Sequence, residues 1–155
     1  MQTTRRHLVG LGAAGLGLAA GGGLLAPPAC AANAPGWDPA LFAAHSLAEV
    51  ARRLGATPVA SAEVTIFGPD LSEDGTVVPI GVQCSAPGTT AIGVVVPNNP
   101  HALACLFRLG HGAEPAVATR LKLARSSRIY AVALVGGRLL YADTRVKVTG
   151  GGCGG

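Results

Sequence analysis

From about residue 62 to residue 149 the chain alternates apolar and polar side chains, and glycine, proline or asparagine breaks the pattern every few residues. In the segment 77–84, Val78, Ile80, Val82 and Cys84 recur at a spacing of two, which places them on one face of a strand. Pro79 lies on the other face, and a proline inside a strand predicts an edge or a bulge. Val117, Thr119, Leu121 and Leu123 oppose Arg120 and Lys122 in the same manner, and Val146 and Val148 oppose Arg145 and Lys147. Cys105, Phe107 and Leu109 alternate with Arg108, and residues 63–67 form a short β-branched run. The segment 91–96 is almost unbroken in its apolar character, which predicts a strand covered on both faces. Gly136-Gly137 joins 129–135 to 138–142 as a two-residue hairpin of the primed type, and Asp143-Thr144 leads into a separate last strand.

Seven or eight short strands with regular turns predict an all-β fold, an immunoglobulin-like antiparallel sandwich spanning 35–149. One helix precedes the strands. Asp38 is a good N-cap, Pro39 fits the first helical position, and Gly55 stands where a C-cap glycine belongs. Between them Ala43, Leu47, Val50, Ala51 and Leu54 form an apolar stripe, so a single helix over roughly 39–54 is expected to lie on a sheet. Trp37 and Phe42 are expected to pack into the core, with covering a partner as the alternative, and His45 is expected at the surface.

The two ends of the chain follow different rules. Arg5 and Arg6 precede an uncharged, glycine-rich apolar stretch running from Leu8 to about Ala26, followed by prolines and small residues. A basic start, an apolar middle and an Ala-x-Ala site describe an export signal, and the paired arginines point to the twin-arginine route. Residues 1–34 are thus expected to be removed, by cleavage after Ala31 or after Ala34, leaving the mature protein in the periplasm with no membrane segment. Losing Arg5 and Arg6 lowers the formal net charge from +4 to about +2, which gives no reason to expect nucleic-acid binding. About 120 residues remain, enough for one domain with one core.

At the other end five glycines, Gly150, Gly151, Gly152, Gly154 and Gly155, surround Cys153. Such a run has no conformational preference and no side chain to anchor it, so 150–155 is expected to be a flexible arm presenting a thiol. An exposed free thiol is a liability on an ordinary surface, so its presence here argues for chemistry. Of the four cysteines, Cys30 leaves with the signal, and Cys84 and Cys105 either pair across the core or pack as small hydrophobes. His101, Cys105 and His111 do not make a metal site, because a four-residue spacing brings ligands together on a helix and this region reads as strand. Arg120, Lys122, Arg145 and Lys147 form basic faces that serve either anion attraction or solubility. No catalytic constellation, phosphate loop or dinucleotide motif is present, and no cofactor is expected.

Val146-Lys147-Val148-Thr149 followed by the glycine-flanked Cys153 resembles the end of the SoxY family, the sulfur carrier of bacterial thiosulfate oxidation. Pro69-Asp70-Leu71 through Gly75, Val77-Val78-Pro79-Ile80 and Asn99-Pro100 are similar too, as is the twin-arginine signal. Gly150 departs from the family pattern, where a bulkier aliphatic residue is common, and is expected to lengthen or loosen the arm. His101 also stands where a less polar residue is usual. The resemblance implies a covalent carrier without catalytic machinery of its own, holding thiosulfate-derived sulfur on Cys153. It implies a heterodimer with a second small sandwich, SoxZ, and transient contact with a haem-containing conjugating enzyme, a sulfate-releasing hydrolase and a sulfane dehydrogenase. Two other classes compete. A terminal Gly-Gly also ends ubiquitin-like carriers adenylated at the carboxylate, which an exported protein could not use without ATP. A structural or adhesive sandwich would use Cys153 for an intermolecular disulfide.

Overall fold

The structure is a computed structural model that describes residues 38–150. Two short helices, α1 (Pro39–Phe42) and α2 (Leu47–Arg53), precede nine strands. These are β1 (Thr57–Ala60), β2 (Val64–Phe67), β3 (Leu71–Ser72), β4 (Val78–Cys84), β5 (Thr89–Val95), β6 (Leu103–Arg108), β7 (Ala116–Leu121), β8 (Ser127–Val135) and β9 (Arg138–Val148). One sheet runs in the order β1-β9-β8-β5-β6, with β3 also on β9, and the other in the order β2-β4-β7. The immunoglobulin-like sandwich expected from the strand pattern is present. Its pairing is antiparallel except at β1 and β3, which both add to β9 in parallel.

The alternating residues do what their spacing dictates. Val78, Ile80, Val82 and Cys84 of β4 meet Ile92, Val94, Ile129, Ala131, Leu140 and Val146 of the larger sheet in the core between the layers. The apolar run in β5 is covered twice. Ile92 and Val94 face that core, while Val95 joins Leu103, Val132 and Leu139 beneath Leu41, Ala44, Val50 and Ala51 of the helical segment. Gly136 and Gly137 take φ of 54° and 76°, the left-handed pair that a primed hairpin turn requires. Pro79 is in the central strand of the small sheet, yet β2 pairs β4 only from Gly81 to Cys84, so the strand is locally an edge where the proline falls.

Three expectations are corrected. The single helix over 39–54 is two helices broken at 43–46. Ala44 spends its carbonyl on the Ala102 N–H at 2.9 Å, a tertiary bond that a continuous helix would forbid. Ser46 then starts a new helix, its hydroxyl accepting from the Glu49 N–H at 3.1 Å while the Glu49 carboxylate accepts from the His45 N–H at 2.9 Å. That backbone bond, with help from Arg53 and Arg52, holds the Glu49 carboxyl below its ordinary pKa. The break also moves the stripe: Ala44 is buried and Ala43 exposed. Asp143-Thr144 does not interrupt the last strand, because Tyr130 and Ile129 pair with them in register and Asp143 meets Arg128 at 3.4 Å. The third correction concerns Gly150.

Candidate functional site

Arg5, Arg6, Gly151, Gly152, Cys153, Gly154 and Gly155 lie outside the described residues, as do Cys30 and Trp37. The structure does show how the chain reaches the cysteine. β9 is gripped from both sides at its end. On one side the Lys147 N–H donates to Asp70 O at 2.8 Å, the Thr149 N–H to Ser72 O at 3.1 Å and the Gly150 N–H to Glu73 O at 2.9 Å. On the other, the Ser126 hydroxyl accepts from the Val148 N–H at 2.9 Å and donates to the Val148 carbonyl at 3.3 Å.

Gly150, where the described residues end, is therefore anchored and is not the loosened start of an arm. Its backbone passes so close to the Glu73 carbonyl that a Cβ at this position would collide with it, which only glycine avoids. The root tightens where the departure from the family pattern was expected to slacken it. The residues holding it form their own small turn. Ser72 donates its hydroxyl to Asp74 O at 2.7 Å, and the Asp74 carboxylate accepts from the Thr76 N–H at 2.7 Å. Those bonds, the backbone one first, keep the Asp74 carboxyl below its ordinary pKa. The pattern Asp74-x-Thr76 carries an Asx-turn signal. Nothing in the sequence foretold that this turn would clasp the C-terminus.

The remaining cysteines are free thiols inside the sandwich. Cys84 is buried and accepts a hydrogen bond from Thr89 Oγ1 at 3.4 Å, and Cys105 is half-buried. Burial pushes the Cys105 thiol up, only partly offset by the Val94 N–H, so less of it is thiolate at any given pH. A thiol of ordinary pKa near 8.5 in the C-terminal segment should outcompete both. A limiting amount of iodoacetamide added to the native protein at pH 8 is expected to label Cys153 at least about tenfold faster than Cys84 or Cys105. Peptide mass spectrometry checks this, and comparable labelling of Cys105 would contradict the burial described.

Among the described residues there is no group of three metal-ligating side chains, and His101 and His111 are both exposed. No helix there is long and apolar enough to cross a membrane. Residues 38–150 thus form a β-sandwich whose last strand is held from both sides as far as Gly150, three positions before Cys153 in sequence.

The comparisons agree. The family model described as "Sulfur oxidation protein SoxY" matches residues 50–153, a span that ends on the cysteine. The structure is similar to that of the sulfur carrier protein SoxY from Chlorobium limicola f thiosulfatophilum, with 31% sequence identity and a TM-score of 0.59. That match covers 64% of this chain and 92% of the other. A superoxide reductase (neelaredoxin) from Ignicoccus hospitalis matches at 18% identity and a TM-score of 0.48, over 68% of this chain and 90% of the other. No match was found among the curated proteins. The chain belongs to the SoxY family of sulfur oxidation proteins, and that membership supports a carrier role in sulfur oxidation.

Proposed function

We propose that this protein is a periplasmic carrier that holds thiosulfate-derived sulfur on the Cys153 thiol and delivers it to successive enzymes of the Sox system. The observation that carries the reading is the family match running to Cys153, on a scaffold held by hydrogen bonds as far as Gly150. Two residues, Gly151 and Gly152, separate Gly150 from Cys153, a reach of at most about 10 Å over three backbone steps. Gly151, Gly152 and Gly154 leave the thiol flanked by bare backbone, the slimmest peptide that can enter a recessed site. The protein itself supplies a nucleophile and a tether, while the partner enzymes supply the chemistry.

A haem-containing enzyme would join thiosulfate oxidatively to Cys153, a hydrolase would release sulfate, and a sulfane dehydrogenase would oxidise the sulfur left behind. A SoxZ-like sandwich would form the stable heterodimer. Phe67, Leu71 and Val77, each about half exposed, and the uncovered edges of β2 and β7 are features that a partner protein would cover. The test is transfer of labelled thiosulfate sulfur to the carrier by the conjugating enzyme. Gly152→Val adds a β-branched side chain beside the thiol without touching the anchored residues. It is expected to cut conjugation by about tenfold or more while iodoacetamide still alkylates Cys153 at the wild-type rate. Full conjugation of the valine variant would show that the arm does not enter a narrow site.

Residues 1–34 would direct export through Arg5 and Arg6, with cleavage after Ala31 or Ala34. Replacing both arginines by lysine is expected to leave precursor in the cytoplasm and little mature protein in the periplasm. Cell fractionation with N-terminal sequencing checks it, and unchanged periplasmic accumulation would refute the twin-arginine route.

A further inference from the structure

Arg128 and Arg145 face each other as direct cross-strand partners between β8 and β9. Like charges so placed destabilise a sheet unless something stands between them. Arg128 is accounted for: its Nε lies 3.4 Å from Asp143 Oδ2, and the neighbouring Tyr130 hydroxyl and that carboxylate both raise its pKa. Arg145 makes no ion pair among the described residues. Lys147, two residues further along β9, is exposed on the same side of the strand, so positive charge continues towards the chain end.

Arg128 and Arg145 border a cleft of about 460 Å³ completed by Pro97, Asn98, Ser126 and Tyr130. No carboxylate lines it, and the nearest ion-paired one, Asp143, belongs to Arg128. Guanidinium forks match the oxygens of a tetrahedral oxyanion, and a tyrosine hydroxyl adds a further donor. The cleft also lies beside the root of the arm. Ser126, one of its walls, is hydrogen-bonded to Val148, and Gly150 follows two residues later, at most about 7 Å along the chain. The three backbone steps from Gly150 to Cys153 span up to about 10 Å, more than the stretch back to Val148, so a group borne on the thiol is within reach of the Ser126 wall.

We propose that this cleft is a binding site for a tetrahedral sulfur oxyanion. In one form it takes the sulfonate end of a group tethered on Cys153, which rests on the carrier reading above. In the other it takes the free anion, which does not. The tethered form would give the anionic end of the cargo a fixed seat on the carrier between enzymes.

Amide NMR of the mature protein, in complex with its partner where the two copurify, tests both sources. Tetrathionate loads the thiol directly: the Cys153 thiolate attacks a central sulfur, a new S–S bond forms, and thiosulfate leaves with the electron pair. The product is Cys–S–S–SO3−, and mass spectrometry of the C-terminal peptide confirms equal loading of wild type and Arg145→Gln. Loading is expected to shift the amides of Arg128, Tyr130 and Arg145 in the wild type but not in the variant. β-Mercaptoethanol is expected to strip the adduct about tenfold faster from the variant. For the free anion, Cys153→Ser protein is titrated with sodium sulfate against sodium chloride at matched ionic strength. Saturable shifts at the same three residues, about tenfold weaker with Arg145→Gln added, would assign the site to the free oxyanion. No response in either arm overturns the proposal. Native protein that carries no sulfur on Cys153 yet shows saturable sulfate shifts would sink the carrier reading and leave the cleft standing.

Discussion

Replacing Cys153 by serine is expected to reduce thiosulfate-dependent turnover in a reconstituted system to the level seen with no carrier added. Serine keeps the size and polarity of the position but offers an alcohol that is not ionised near neutral pH and cannot form an S–S bond. The structural cost should be nil. Among the described residues, the core is built from residues up to Val146 with Val148 packed against it, and the backbone bonds that hold the end of the last strand involve Lys147 to Gly150. Melting temperature and partner copurification are therefore expected to match the wild type. This combination of an unchanged fold and abolished turnover is what distinguishes a cargo site from a structural one. Turnover above about a tenth of wild type, roughly a single unit of 1.4 kcal/mol, would mean that another group carries the sulfur.

Ile129→Ala is expected to do the reverse, damaging the scaffold and sparing the thiol. Ile129 is fully buried in β8, which pairs with β5 on one side and β9 on the other, and it belongs to the core shared with Val78, Ile80 and Leu121 of the other sheet. Truncating such a residue leaves a cavity that a strand held on both sides cannot collapse to fill. The expected loss is about 3 kcal/mol, within the range for Ile to Ala in a core, and lowers Tm by about 10 °C. Since β8 and the Ser126 clasp lie on one segment, warming should release the root of the arm together with the sandwich. Alkylation of Cys153 at low temperature should nevertheless proceed at the wild-type rate. Thermal denaturation followed by circular dichroism measures the first effect, and a shift smaller than about 3 °C would contradict the packing described between the sheets.

Much of this architecture was legible because the physics was local. Period-two alternation marked β4, β7 and the end of β9, an unbroken apolar run marked the doubly covered β5, and paired glycines marked the β8–β9 hairpin. The N-cap Asp38 and the C-cap Gly55 also stood where expected, with Gly55 at φ 65°. Elements that depend on distant partners were not legible. Every residue of β1 is exposed, so no alternation betrays it, and it is a strand through its parallel pairing with residues 138–141 of β9. β3 has two residues, sits in a turn-like sequence, and likewise owes its state to β9. The break at 43–46 falls within a stretch of good helix formers, and it arises from the bond between Ala44 and Ala102, which are 58 positions apart in sequence. For the site, composition alone singled out Cys153 and its glycines. The clasp at Gly150 and the cleft beside it required knowing that residues 70–76, 126–130 and 145–150 converge.

The measurement that bears most directly on the central claim is the mass of the C-terminal tryptic peptide, residues 148–155, from protein isolated without reductant from cells oxidising thiosulfate. The account predicts a population carrying one or more added sulfur atoms or a thiosulfate-derived group on Cys153, removed by a small thiol and missing from cells grown without reduced sulfur. An unmodified Cys153 under every condition, a modification at the Gly155 carboxylate instead, or recovery solely as a disulfide-linked dimer would contradict it.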